Sequence, residues 1–349
     1  MQRYHYLVVW PSLVLAKQWL PTGSTLTQAT ASLMSQECVW ATARVKNYNW
    51  TMCLHPGHLD RHVSRVIQTA GCIECDDVAF ALDTVGMSRP SAALFIDLGG
   101  NIGMYALAAA AVGHSVVTFE PMLTNAVRLL ASARKNGFQS RLHLMSLCVS
   151  DEPGTRLCQL GLNPSNQGHL RHQIAKPPSL LGHAADSSKA GARGVVGPYG
   201  SGPLNRDFGF MNSVAVRVDD VLPPQRSRRV FIKVDLEGGE CRAFRGMRRF
   251  INESTRIIGA LVEFDKSRAC CEELIASPDG AFYLLHHRHG LCPVPSGRGS
   301  GAASRAATNV RATMAPEELC KLSPGSVPMQ LNVRFQPCLT PPHPTRPRV

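Results

Sequence analysis

At 349 residues with 44% hydrophobic side chains, the chain can bury one large core with appendages, which excludes a miniature held together by staples. A formal net charge of +12 raises nucleic acid as a partner, but the excess is dispersed: eight Lys and Arg against two Glu lie from Arg288 onward, and no basic patch is interleaved with aromatics. Nucleic acid is therefore not expected, and the twelve cysteines lack the spacing of a small disulfide framework.

Residues 1–35 read as an N-terminal extension. Within it, residues 6–16 form an apolar stretch behind Arg3 and His5, with Val14-Leu15-Ala16 resembling a cleavage site. Pro11 interrupts the stretch and Lys17 ends it, so it is too short to span a bilayer. It is a candidate signal or anchor, and the compartment stays open between the cytoplasm and the secretory pathway or a membrane surface. Residues 36–93 form a lead-in: alternating β-type sequence over 39–55, a turn at Pro56-Gly57, and helical patterns over 59–70 and 74–85. Cys72-Ile-Glu-Cys75 has no second pair at zinc spacing and is read as two thiols flanking a helix. His55, His58 and His62, like His286, His287 and His289, are read as solvated or satisfied histidines.

From residue 94 the pattern becomes an alternation of short apolar runs and helices. Strands are expected at 94–98, 115–120, 141–147, 214–218, 230–235 and 257–264, with another at 282–285. Asn101 is placed as the cap of an Ala-rich helix over 102–112 that stops at Gly113. A second helix follows Pro121 and ends at Asn136-Gly137, and another runs to about residue 251. Cys148 is read as a buried free thiol. Periodicity is lost over 163–207, read as a flexible insertion, and again over 297–315. The expected architecture is α/β: a Rossmann-like domain over 94–290, with a mostly parallel doubly wound sheet of about seven strands. A largely disordered basic tail, 291–349, holds a possible last, antiparallel strand at 331–335.

The turn after the first core strand reads Phe95-Ile-Asp-Leu-Gly-Gly-Asn-Ile-Gly103. In a doubly wound sheet such a turn lies at the carboxyl ends of the strands, where ligands bind. The dinucleotide fingerprint GxGxxG fails here, because Asn101 stands two positions after Gly99. What remains, Asp97-x-Gly99-x-x-x-Gly103, suits a ligand with an amino-acid tail and no pyrophosphate. Glu120 ends the second strand, 21 residues after Gly99, where a carboxylate accepts both ribose hydroxyls of an adenosine cofactor. Ser150 and Asp151, past the third strand, stand where an adenine amine would lie, although a plain turn explains them as well. Asp97, Gly99, Asn101, Gly103, Glu120, Ser150 and Asp151 are thus the expected cofactor residues.

Ile232-Lys-Val-Asp-Leu-Glu-Gly-Gly-Glu240 places a second polar cluster at the end of the fourth strand, opening on the same crevice. Such a cluster is costly unless it meets solvent or a ligand. Asp235 and Glu237 suit alignment and deprotonation of a hydroxyl, with Lys233 beside them, so these three are the expected catalytic residues. Glu240 is read as a first-turn helix acid and Glu263 as part of the crevice rim. No metal set is assigned, although Asp235, Glu237 and Glu263 offer oxygen ligands for a divalent cation.

These motifs, with Phe119-Glu-Pro121, Val149-Ser-Asp151, Val218-Asp-Asp-Val-Leu222, Val262-Glu-Phe264 and Leu331-Asn-Val-Arg-Phe335, occur in the order and spacing of the FkbM-type methyltransferases, which the chain resembles over about 94–264. The resemblance implies a class I methyltransferase fold, S-adenosyl-L-methionine as cofactor, and O-methylation of a small-molecule or glycan hydroxyl. Alternatives are N- or protein methylation with the same cofactor site, or a binding module without turnover. The chain departs from the family at Gly100 and Gly239, where alanine is usual, in its long insertion, and in the tail before Leu331.

Overall fold

The structure is a computed structural model and describes residues 38–86, 93–152, 157–163, 166–174, 210–264, 273–274, 280–296 and 331–338. The apolar stretch 6–16, most of the 163–207 insertion and residues 297–315 lie outside these. No helix among the described residues is long and apolar enough to cross a membrane.

The lead-in opens with a hairpin of β1 (Val39–Val45) and β2 (Tyr48–Leu54), paired from Val39↔Leu54 to Val45↔Tyr48. Period-two alternation turns Ala43, Val45, Trp50, Met52 and Leu54 inward. Helix α1 (Ser64–Ala70) starts where Asp60 accepts the main-chain N–H groups of Val63 and Ser64, and stops at Gly71, φ 80°. Helix α2 (Cys75–Gly86) follows directly.

The domain then alternates as its sequence predicts: β3 (Ala93–Leu98), α3 (Met104–Val112), β4 (Ser115–Phe119), α4 (Leu123–Lys135), β5 (Leu142–Met145) and the short β6 (Cys148–Val149). Strands β7 (Leu157–Asn163), β8 (Asn166–Ile174) and β9 (Phe210–Val216) join β6 in a separate four-stranded sheet. After the turn α5 (Val218–Val221) come β10 (Arg229–Val234), α6 (Glu240–Gly246), α7 (Arg248–Glu253) and β11 (Ile257–Phe264). The one-turn α8 (Ala281–Tyr283), a π-helical turn Leu284–Arg288, β12 (Leu291–Ser296) and β13 (Leu331–Pro337) complete the order.

The main sheet has seven strands in the order β12-β13-β11-β10-β3-β4-β5. Only β13 runs against the rest, pairing antiparallel with both β11 and β12. This is the expected doubly wound sheet with its last strand reversed. Strand β3 shows why its sequence is continuously apolar: Leu94, Ile96 and Leu98 enter one core, while Ala93 and Phe95 enter the other on the opposite face. Phe95 stacks on Phe231 at 5.1 Å across the β3–β10 pair.

Several expectations are corrected. Asn101 does not cap α3, which begins at Met104 behind Gly103. The run 282–285 is helical, because a four-residue apolar run has no period of its own. Phe282 there packs on Phe244 at 5.5 Å and Phe335 at 4.9 Å. The sheet continues past residue 290 in β12, whose Pro293 and Pro295 mask its strand character. Proline is tolerated there because β12 is the edge strand. The first part of the 163–207 segment is also strand, β8, whose polar sequence has no apolar alternation to reveal it and which pairs antiparallel with β7 just before it.

The cysteines differ most from expectation. Cys72 and Cys75 form a disulfide, as do Cys38–Cys53 and Cys292–Cys338, and Cys148 is bonded rather than free, like Cys241. His286 Nδ1 lies 3.6 and 3.7 Å from the sulfurs of Cys292 and Cys338, but those sulfurs are consumed by their own bond. His55 is buried against Asn125 at 2.7 Å, whereas His58 and His62 are exposed.

Candidate active site

The strand order reverses between β3 and β10: the chain winds outward through β4 and β5, then returns to build β10 and β11 on the other side. The carboxyl ends flanking such a reversal part to form a crevice. They are tied just below it, where the Asp235 N–H donates to the Leu98 carbonyl at 3.0 Å.

The glycine turn is shaped first by the protein's own backbone. Gly99 has φ +87°, and a Cβ there would stand 1.8 Å from the Asp235 carbonyl oxygen. Gly103, φ +99°, would press Leu129 at 2.8 Å. At Gly100 a Cβ would meet Thr118 Oγ1 at 2.1 Å. The N–H groups of Gly99 and Gly100 both donate to the Phe119 carbonyl, at 3.0 and 2.9 Å. Asn101 takes a left-handed conformation, φ 50°, and its Oδ1 accepts the Ile102 N–H at 2.7 Å. Its own N–H donates to Glu120 Oε2 at 2.7 Å, so turn and acid are joined directly.

Glu120 is 4% exposed and its Oε1 accepts the Met122 N–H at 2.8 Å. Burial raises its pKa to about 7 against the pull of those two donors. Asp97 is fully buried; Lys233 Nζ stands 3.7 Å from its carboxylate and the Ala106 main-chain N–H also acts on it, but neither completes a hydrogen bond of good geometry. Burial raises the Asp97 pKa, with Lys233 opposing.

Lys233 joins the two motifs. Its ammonium donates to the Gly99 carbonyl at 3.0 Å, pairs with Asp235 at 3.1 Å, and lies 5.0 Å over the Tyr105 ring. Burial pulls its pKa down, yet Asp235, Asp97 and Glu74 hold it above the ordinary value, so it stays charged. The Asp235 side chain remains 21% exposed, and Glu237 follows with φ 52° and partial exposure. Glu240 is buried in the first turn of α6, and its Oε1 accepts the N–H groups of Leu236 and Gly238 at 3.0 and 3.1 Å. It therefore braces the loop, as a helix first-turn acid does, and burial raises its pKa to about 7.

The remaining candidates are placed differently. Ser150 is buried, with its hydroxyl 3.1 Å from Asp151. The Asp151 carboxylate is taken by Arg245 at 2.6 Å, with Arg242 at 3.7 Å; burial pushes its pKa up, but the Arg245 bond and charge hold it below the ordinary value. Glu263 is buried on β11, and the oxygens of Asp235, Glu237 and Glu263 do not converge as one ligand set. Two residues escaped the sequence reading. Tyr105 lies in the first turn of α3, and its hydroxyl donates to Glu74 Oε2 at 2.8 Å. The position of Tyr105 two residues past Gly103 was the available signal; Glu74 had none beyond its place between two cysteines.

Residues 97–276, just over half of the chain, match the family described as the methyltransferase FkbM domain. No curated protein matches the chain. Among solved structures, an S-adenosylmethionine-dependent methyltransferase from Agrobacterium tumefaciens is 9% identical, covering 86% of this chain and 72% of its own, with a TM-score of 0.38. A geranyl diphosphate methyltransferase with GPP and sinefungin is 11% identical over 90% and 98%, TM-score 0.37. The C-terminal domain of precorrin-6Y C5,15-methyltransferase from Rhodobacter capsulatus is 10% identical over 75% and 88%, TM-score 0.35. Likeness at that level carries no argument about the site; the fold rests on the strand order and the family on its matched residues. By that match the chain belongs to the FkbM methyltransferase family and is an S-adenosylmethionine-dependent methyltransferase.

Proposed function

We propose that the protein methylates a hydroxyl oxygen on a sugar, a lipid or a small natural product. The observation that carries this reading is the partly exposed Asp235 carboxylate, fixed by Lys233 at the crevice between β3 and β10. The crevice suits the cofactor. Asp97 is a buried carboxylate that Lys233 and the Ala106 N–H leave short of complete hydrogen bonds, which the ammonium of an amino-acid tail would supply. Each Glu120 oxygen accepts one main-chain N–H and keeps a lone pair for a ribose hydroxyl. In this reading the turn Gly99, Asn101 and Gly103 would line the space between them. Ser150 would meet the adenine side. Asp151 fits least, since its carboxylate is held by Arg245.

S-adenosylmethionine, when bound, supplies a methyl made electrophilic by its sulfonium. Asp235 accepts the hydrogen bond of the acceptor hydroxyl and takes its proton as the oxygen becomes nucleophilic. Lys233 holds Asp235 and the Gly99 carbonyl in fixed relation, so the acceptor and the cofactor turn are aligned by one ammonium. Glu237, at the rim, orients the acceptor.

Calorimetry with S-adenosylhomocysteine tests the cofactor site; a folded wild type without affinity would sink the reading. A labelled-methyl screen against glycans, lipids and small alcohols tests the acceptor, and transfer only to amines would replace O- with N-methylation. Asp235→Asn is expected to slow transfer by about a hundredfold or more while S-adenosylhomocysteine affinity stays within about threefold. An unchanged rate would remove Asp235 from the chemistry.

A further inference from the structure

We propose that Glu74 is a positioning residue of the methyl-transfer site, held in place by the Cys72–Cys75 disulfide. The inference rests on the reading of the crevice given above. Glu74 lies in the lead-in, outside the matched family residues, on the loop between α1 and α2.

Three observations join at this residue. First, Glu74 takes a left-handed backbone conformation, φ 53°, which a side-chain-bearing residue adopts only where its surroundings impose it. The surroundings are explicit: Cys72 and Cys75 are bonded on either side of Ile73-Glu74, and the Glu74 carbonyl accepts the N–H groups of Asp77 and Val78, both at 2.9 Å. Second, the Glu74 carboxylate accepts the Tyr105 hydroxyl at 2.8 Å, across to α3. Tyr105 is 5% exposed, and burial together with Glu74 raises its pKa well above the ordinary value, so the phenol remains a donor. Third, the Tyr105 ring lies beneath the Lys233 ammonium, which bonds the Gly99 carbonyl and pairs with Asp235. A continuous chain of contacts therefore runs from the disulfide through Glu74 and Tyr105 to Lys233.

Losing the Glu74 acceptor would free the Tyr105 ring from its fixed tilt, and with it one wall of the Lys233 pocket. Because Lys233 holds the Gly99 turn as well as Asp235, the effect should already be readable in cofactor affinity, before any chemistry takes place. The Cys72-x-x-Cys75 motif thus has a part that its spacing alone did not suggest. It anchors an acid beside the site instead of a metal.

The test is calorimetric binding of S-adenosylhomocysteine to the full chain, with thermal midpoints on the same samples. Glu74→Ala and Tyr105→Phe are each expected to weaken binding about three- to tenfold. Glu74→Gln should bind within about twofold of wild type, because an amide oxygen still accepts from the phenol. The losses of the Glu74→Ala/Tyr105→Phe pair should fall short of the product of the single losses, since the two substitutions share the Tyr105–Glu74 bond. Cys72→Ser/Cys75→Ser should resemble Glu74→Ala. Wild-type affinity in Glu74→Ala, or losses that multiply in the pair, would overturn the proposal. Loss of affinity that only tracks a falling thermal midpoint would do the same. If wild type itself fails to bind, the cofactor reading falls; if wild type binds and the variants do too, only this inference falls.

Discussion

Glu120 is where local chemistry and ligand chemistry meet. Its pKa near 7 means that the fold favours its protonated form, and Glu240 behaves alike. Both lie above the unfolded value of 4.5, so their contribution to stability is complete below pH 4.5 and is lost as pH rises through about 7. Ribose hydroxyls donate best to an ionised carboxylate, so cofactor binding should run the other way. S-adenosylhomocysteine affinity is expected to rise on the order of tenfold from pH 5.5 to 8, with proton release on binding. Glu120→Gln should flatten the profile; calorimetry in buffers of different ionisation enthalpy reads both. Asp97, Glu120, Lys233 and Asp235 were legible as residues because charge at the end of an apolar strand has few structural uses. Their partners were not. The Asn101 N–H on Glu120 and the Tyr105 ring under Lys233 depend on how far the turn and α3 sit from β10.

At the scale of elements, the β3–α3 turn owes its glycines to β10 as much as to a ligand. Gly99→Ala would drive a Cβ into the Asp235 carbonyl at a positive φ, and is expected to cost about 3 kcal/mol or more in urea unfolding. A variant of wild-type stability would show that β3 and β10 part more easily than their register implies. Strands β3, β4, β10 and β11 were readable because burial on both faces demands unbroken apolar runs. The 282–285 run obeyed the same rule as a helix, and β12 escaped because its prolines are allowed only by its place at the edge.

Over the whole molecule, the disulfides set a second level of order. All eight cysteines whose side chains are described are bonded, a state that persists in oxidising surroundings. Cys292–Cys338 closes a separation of 46 residues and ties β12 to the end of β13. Cys292→Ser/Cys338→Ser is expected to lower stability by about 4 kcal/mol on the loop-closure account. Strands β13 and β11 stand between β12 and β10, so S-adenosylhomocysteine affinity should stay within about twofold. Chemical unfolding and calorimetry on one preparation check both, and a loss of affinity at full stability would mean that the edge hairpin reaches the crevice.

The sequence by itself determined the α/β class, the doubly wound sheet, the glycine turn with its two acids, and the Lys-x-Asp-x-Glu cluster. Each is written in local periodicity or in residue types with one economical use. Only the tertiary structure decided which cysteines join, that Glu74 and Tyr105 stand behind Lys233, and that Asp151 is claimed by Arg245. Those facts depend on contacts between segments up to about 160 residues apart, such as Glu74 and Lys233, and no local pattern encodes the distance between two elements once both are packed.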